Sequence, residues 1–140
     1  MKTDLDYRVE EINGNIPEDH VFPYDFDDGS SLDKRNFIVW VNPEYPTIKD
    51  YVIMGEKLKE ITKEFETFSV IFIGKTKAKS TAERRDYLKF LFNELPNLEW
   101  AYFVFERGFI STILLRFIMG RNFKSFSIHS SIKDVFDKIK

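Results

Sequence analysis

From Phe37 onward the chain alternates short apolar runs with amphipathic stretches, strand then helix, and this order limits the fold more than any single motif does. Phe37-Ile-Val-Trp-Val41 is a compact β-branched and aromatic strand. A helix over 48–65 comes next, opened by Thr47 with Asp50 at capping-box spacing. Ser69 to Ile73 is a short apolar run of the kind a buried central strand shows, and it ends at Gly74. Ser80 and Glu83 again have capping-box spacing and predict a helix over 80–94, stopped by Pro96. Trp100 to Phe105 predicts a strand. Phe109, Ile110, Ile113, Leu114, Phe117 and Ile118 then recur at helical spacing over 109–119, before a strand over 123–128 and a last helix over 132–139 opened by Ser131.

The expected fold is therefore α/β, a mainly parallel central sheet flanked by about four helices. Tyr7 to Ile12 reads as an N-terminal edge strand, and Gly and Pro clusters interrupt most of the chain from Asn13 to Asp33. Residues 1–140 read as a single domain, with 1–36 an irregular acidic segment and 37–140 the core. A chain of this length can bury roughly 68–70% of its unfolded surface. Fifteen phenylalanines and six tyrosines supply the volume without a metal or disulfide staple.

Cysteine is absent, which excludes disulfides and thiolate metal sites and is compatible with a reducing compartment. No signal-peptide core is visible at the start, and Arg116 breaks the longest apolar run, so a cytoplasmic protein that is not integral to a membrane is expected. The net charge of −2 conceals an asymmetry, since residues 1–35 hold ten Asp or Glu against four Lys or Arg. That balance gives no case for nucleic-acid binding.

Chemistry narrows the candidate sites. Gly74-Lys75-Thr76 after a strand looks like the end of a phosphate loop, but Ser69 stands where that loop needs a glycine. Lys75, Lys77 and Lys79 precede a helix start at Ser80-Thr81, where unpaired N–H groups and the helix dipole favour an anion; the same lysines would equally solvate an exposed loop. His20 and His129 are the only histidines, and His129 at a strand end reads as a boundary residue without an evident partner. Glu106 and Arg107 lie where ligands approach open α/β sheets, although an ion pair explains them as well. No catalytic constellation, cofactor motif or metal-ligand set stands out.

The strand and helix of Phe37 to Phe65, the helix start Ser80-Thr-Ala-Glu-Arg-Arg85, the turn Ala101-Tyr-Phe-Val-Phe-Glu-Arg-Gly-Phe109 and the ending Phe126 to Phe136 together resemble the SpoIIAA-like branch of STAS domains, often described together with Sec14-type lipid-binding domains. The resemblance implies a non-enzymatic, bacterial-type regulatory module without cofactor that binds a protein partner or a small anionic ligand. In that family a serine at the start of the second main helix is phosphorylated to release the partner, and Ser80 or Thr81 occupies the similar place. The family's Asp-Ser-Ser-Gly type turn is absent, and Lys75 to Lys79 stand there instead.

The expected ligand or partner surface is accordingly Lys75, Thr76, Lys77, Lys79, Ser80, Thr81 and Arg84. The alternative is a lipid or hydrophobic small-molecule binder with a pocket at Phe109, Ile113 and Phe117. The identity of the partner is open, as is a homo-oligomer.

Overall fold

In a computed structural model, which describes residues 2–12, 17–24, 36–74, 81–105 and 125–139, the chain forms a five-stranded sheet in sequential order. The strands are β1 (Val21–Tyr24), β2 (Phe37–Val41), β3 (Phe68–Ile73), β4 (Leu98–Val104) and β5 (Phe126–His129). The helices among the described residues are α1 (Asp4–Glu11), α2 (Ile48–Thr62), α3 (Ala82–Asn93) and α4 (Ile132–Ile139). β2 through β5 run parallel, and β1 pairs antiparallel with β2.

Period-two alternation sorts the strand side chains into two cores, because neighbouring residues face opposite sides of a sheet. Ile38, Trp40, Val70, Phe72, Ala101 and Phe103 meet Tyr51, Met54 and Leu58 of α2 and Leu88, Leu91 and Phe92 of α3. Phe37, Val39, Val41, Ile71, Ile73, Tyr102 and Val104 meet Leu5 of α1 and Val135 and Phe136 of α4. Helices thus cover both faces, which is why β2 and β3 are buried at every position. Ile71, Ile73 and Phe103 are buried, and Phe105 is partly buried against the α2–α3 core.

Residues 7–12 are the main correction. They do not form the edge strand: Tyr7 to Glu11 belong to α1, with Ile12 as its C-cap. Thr3 and Asp6 close a capping box, and Leu5, Val9 and Ile12 lie at helical spacing toward the α4 side. The edge strand is instead β1, where Pro23 is tolerated because an edge position can forgo a ladder N–H. Ahead of β1 a 3₁₀ turn, Pro17–His20, buries His20, whose Nδ1–H donates to the Val41 carbonyl at 2.7 Å. This bond ties the acidic N-terminal segment to the end of β2.

Other boundaries move by a few residues. α2 ends at Thr62, whose hydroxyl donates back to Leu58 O at 2.8 Å, and Asn97 Nδ2 donates to the carbonyls of Thr62 and Phe65. α3 starts at Ala82 and is capped by Thr81, whose Oγ1 accepts from Arg84 N, so position N3 is Arg84; Ser80, expected to open the helix, lies outside the described residues. Ser131 opens α4 as expected, its Oγ accepting from Asp134 N at 3.1 Å. The predicted helix over 109–119 lies outside the described residues.

Among the described residues no helix is long and apolar enough to cross a membrane. The four parallel strands succeed one another without a reversal of order. Among the described residues the sheet thus shows no topological switch point, the place where open α/β sheets form a ligand crevice.

Candidate functional site

Two polar clusters lie near the carboxyl ends of the parallel strands, one on each face of the sheet. The first belongs to the α2–α3 side. Adjacent strands are locked together there, with Asn42 N donating to Ile73 O at 3.0 Å and Gly74 N to Val104 O at 2.9 Å. A Cβ at Gly74 would sit 2.4 Å from the Phe105 ring, so glycine is required by close approach. Asn42 is buried and its Oδ1 accepts from Trp40 Nε1 at 2.8 Å. Tyr51, also buried, hydrogen-bonds to Asn42 and Arg84; burial raises its phenol pKa above the ordinary value, opposed by the positive charge of Arg84 and by those two bonds.

Arg84 completes this cluster. It is only 5% exposed, its Nε donates to Thr81 Oγ1 at 3.2 Å, and its guanidinium lies 5.6 Å from the Tyr51 ring centroid. Sequence reasoning expected Arg84 on the surface; the structure buries it beneath an exposed Thr81. A buried guanidinium is sustainable here because Thr81 and the Tyr51 face share its charge. Gly74 and Thr81 are the described residues flanking Lys75, Thr76, Lys77, Lys79 and Ser80, which themselves lie outside the described residues, as do Glu106 and Arg107.

The second cluster lies on the α1–α4 side and was missed by sequence reasoning. Ser127 and His129 are two apart on β5, hence on one face, and are paired in register with Tyr102 and Val104 of β4. His129 Nε2 lies 2.6 Å from Ser127 Oγ, and its Nδ1 lies 2.7 Å from Asp134 Oδ2 on α4. Trp100 Nε1 donates to the same Ser127 Oγ at 3.0 Å. An indole nitrogen can only donate and a carboxylate can only accept, so Ser127 Oγ accepts from Trp100 and Nδ1–H donates to Asp134; with the imidazole neutral, Nε2 accepts the Ser127 proton. A neutral imidazole protonated on Nδ1 satisfies every contact. The Ser127–His129 half was legible as a Ser-x-His spacing on a strand; the Asp134 half crosses from strand to helix, where no single period applies.

A groove of about 500 Å³ runs along the β1 edge, lined by Arg8, Glu11, Glu18, Asp19, His20 and Lys57 among others. Ile12, Val21, Phe22 and Pro23 complete its mixed lining; the residues expected to line a lipid pocket, Phe109, Ile113 and Phe117, lie outside the described residues. Among the described residues no group of three or more His, Asp or Glu could hold a metal ion.

Compared with known proteins, the chain matches no family model, no curated protein and no solved structure.

Proposed function

We propose that this chain is a STAS-like regulatory or interaction module that binds a protein partner or a small anionic ligand, without catalysis, at the start of α3. The observation that carries the reading is the exposed Thr81 N-cap resting on Arg84, with Nε 3.2 Å from Oγ1, near the carboxyl ends of β2 and β3. A carboxylate or phosphate arriving there meets first-turn N–H groups and the positive end of the helix dipole, with the positive charge of the buried Arg84 beneath Thr81. A phosphoryl group placed on Thr81 itself would find the same partners, which supports Thr81, alongside Ser80, as a candidate phosphoacceptor. Lys75, Lys77 and Lys79, six residues or fewer before Thr81 in sequence, add long-range attraction for an acidic partner. The strand and last helix formed by β5 and α4 also agree with the closing pattern that carries the resemblance to STAS domains.

The test is a triple Lys→Glu variant at 75, 77 and 79 together with Arg84→Gln, each first shown to be folded by circular dichroism. Calorimetry with inorganic phosphate and affinity capture of partners should both weaken relative to the unmodified chain. Unchanged phosphate binding and partner capture in folded variants would remove this surface from consideration and favour the lipid-binding alternative.

A further inference from the structure

We propose that Ser127 is a base-activated nucleophile toward small activated acyl esters, with His129 as its proton acceptor and Asp134 as the positioning residue for the imidazole. The site is on the face of the sheet opposite α2 and α3, so it stands or falls independently of the binding surface at Thr81. Its parts are those that nucleophilic catalysis by a hydroxyl needs: a serine, a base on it, and a carboxylate that fixes the base's tautomer.

The geometry is specific at each joint. His129 Nε2 is 2.6 Å from Ser127 Oγ and Nδ1 is 2.7 Å from Asp134 Oδ2, so in the neutral imidazole with Nδ1–H on Asp134 it is Nε2 that faces the hydroxyl as the basic nitrogen. The His129 side chain is only 3% exposed and that of Asp134 is 42% exposed. The base is thus shielded from bulk water, while the hydroxyl it faces belongs to a half-buried residue on a strand at one end of the sheet. The ring of Tyr102, on the neighbouring strand, lies 5.7 Å from that of His129, tilted by 43°. Trp100 Nε1, 3.0 Å from Oγ, donates to the Ser127 oxygen and so holds the hydroxyl in place beside Nε2.

In the reaction, Ser127 Oγ forms a bond to the acyl carbon as its proton passes to His129 Nε2, and the carbonyl π pair moves onto oxygen. Collapse restores the carbonyl, breaks the bond to the leaving oxygen and gives that oxygen the proton from Nε2. Water repeats the sequence on the Ser127 ester: Nε2 takes a proton from water, the hydroxide portion bonds to the acyl carbon, and Oγ leaves with the proton. The balance is ester plus water to acid plus alcohol, with no other reactant.

The experiment uses the full chain and p-nitrophenyl acetate, following p-nitrophenolate release and locating the acetyl group by peptide mass spectrometry. The expected result is acetylation of Ser127 that Ser127→Ala abolishes and that His129→Ala lowers by about 100-fold or more, with partial rescue by added imidazole. Asp134→Asn, at a half-exposed position, tests the positioning role without depending on the buried histidine. It should lower the maximal acylation rate by about 100-fold or more while leaving the half-saturating ester concentration nearly unchanged, because the imidazole would lose its preferred tautomer. Acetylation of the unmodified chain no faster than of Ser127→Ala, acetyl found only on lysines, or a folded Asp134→Asn reacting at the unmodified rate would each overturn the proposal.

Discussion

The hydroxyl of Tyr87 on α3 occupies the space into which any side chain at Gly55 of α2 would project: a Cβ at position 55 would stand 2.0 Å from Tyr87 Oη and 2.9 Å from Cζ. The two helices approach closely because position 55 is bare. That hydroxyl is buried and has no hydrogen-bond partner among the described residues.

Gly55→Ala is therefore expected to lower stability by about 1–3 kcal/mol, despite the higher helix propensity of alanine, because the overlap must be relieved by displacing Tyr87. Tyr87→Phe should raise stability by roughly 1 kcal/mol, since it deletes a buried polar group that receives no bond. Urea denaturation of both single variants and the double variant should reveal a coupling of about 0.5–3 kcal/mol. Strict additivity would show that the hydroxyl does not fill the site.

Thr81→Ala should cost about 1 kcal/mol through loss of the cap, whereas Thr81→Ser should retain most of it, because the accepting oxygen is kept. Thermal unfolding distinguishes the pair. A Thr81→Ala variant as stable as the unmodified chain would mean that another group caps α3.

Phe103 is 1% exposed, with ring centroids 5.4 Å from Phe72, 5.9 Å from Phe105, 6.1 Å from Phe92 and 6.2 Å from Phe126. Phe103→Ala should destabilise by about 3–5 kcal/mol, since it removes the ring from a packed aromatic layer and leaves a cavity. A loss well below about 1 kcal/mol in chemical denaturation would contradict the placement of this ring at the centre of the α2–α3 core.

Tyr51 and Tyr87 both ionise above the ordinary tyrosine value, chiefly because burial disfavours the phenolate. In the unfolded chain a tyrosine loses its proton near about pH 10, so above that pH the folded state binds more protons than the unfolded state. The stability that this difference contributes is complete below about pH 10 and declines as pH rises toward the folded pKa values. Denaturation midpoints measured between about pH 8 and pH 11 should fall less steeply at the alkaline end for Tyr51→Phe than for the unmodified chain. An identical slope would mean that the Tyr51 phenol is not desolvated.

Much of the fold was legible in the chain itself. The run from Ser69 to Ile73 could be read as a central strand because both of its faces had to be apolar, and it is buried throughout β3. Thr47 with Asp50 marked the start of α2 correctly, since both halves of a capping box lie within one helical turn. Tyr7 to Ile12 misled because Tyr7 and Val9 are two apart as on one face of a strand, whereas Leu5, Val9 and Ile12 at helical spacing define the face that is buried. A window starting two residues earlier would have contained the decisive leucine.

The candidate sites divide along the same line. Sequence by itself determined the parallel α/β order, the two-sided burial of its central strands and the position of an exposed helix start near Thr81, because each rests on periodicity or on groups within a few residues of one another. Tertiary structure alone decided that Arg84 lies under Thr81 against Tyr51, from a different helix, and that Asp134 meets His129 across the turn from β5 to α4. Those contacts depend on how helices settle onto the sheet, and the distance between side chains on separate elements is fixed by packing of the whole core rather than by any local spacing along the chain.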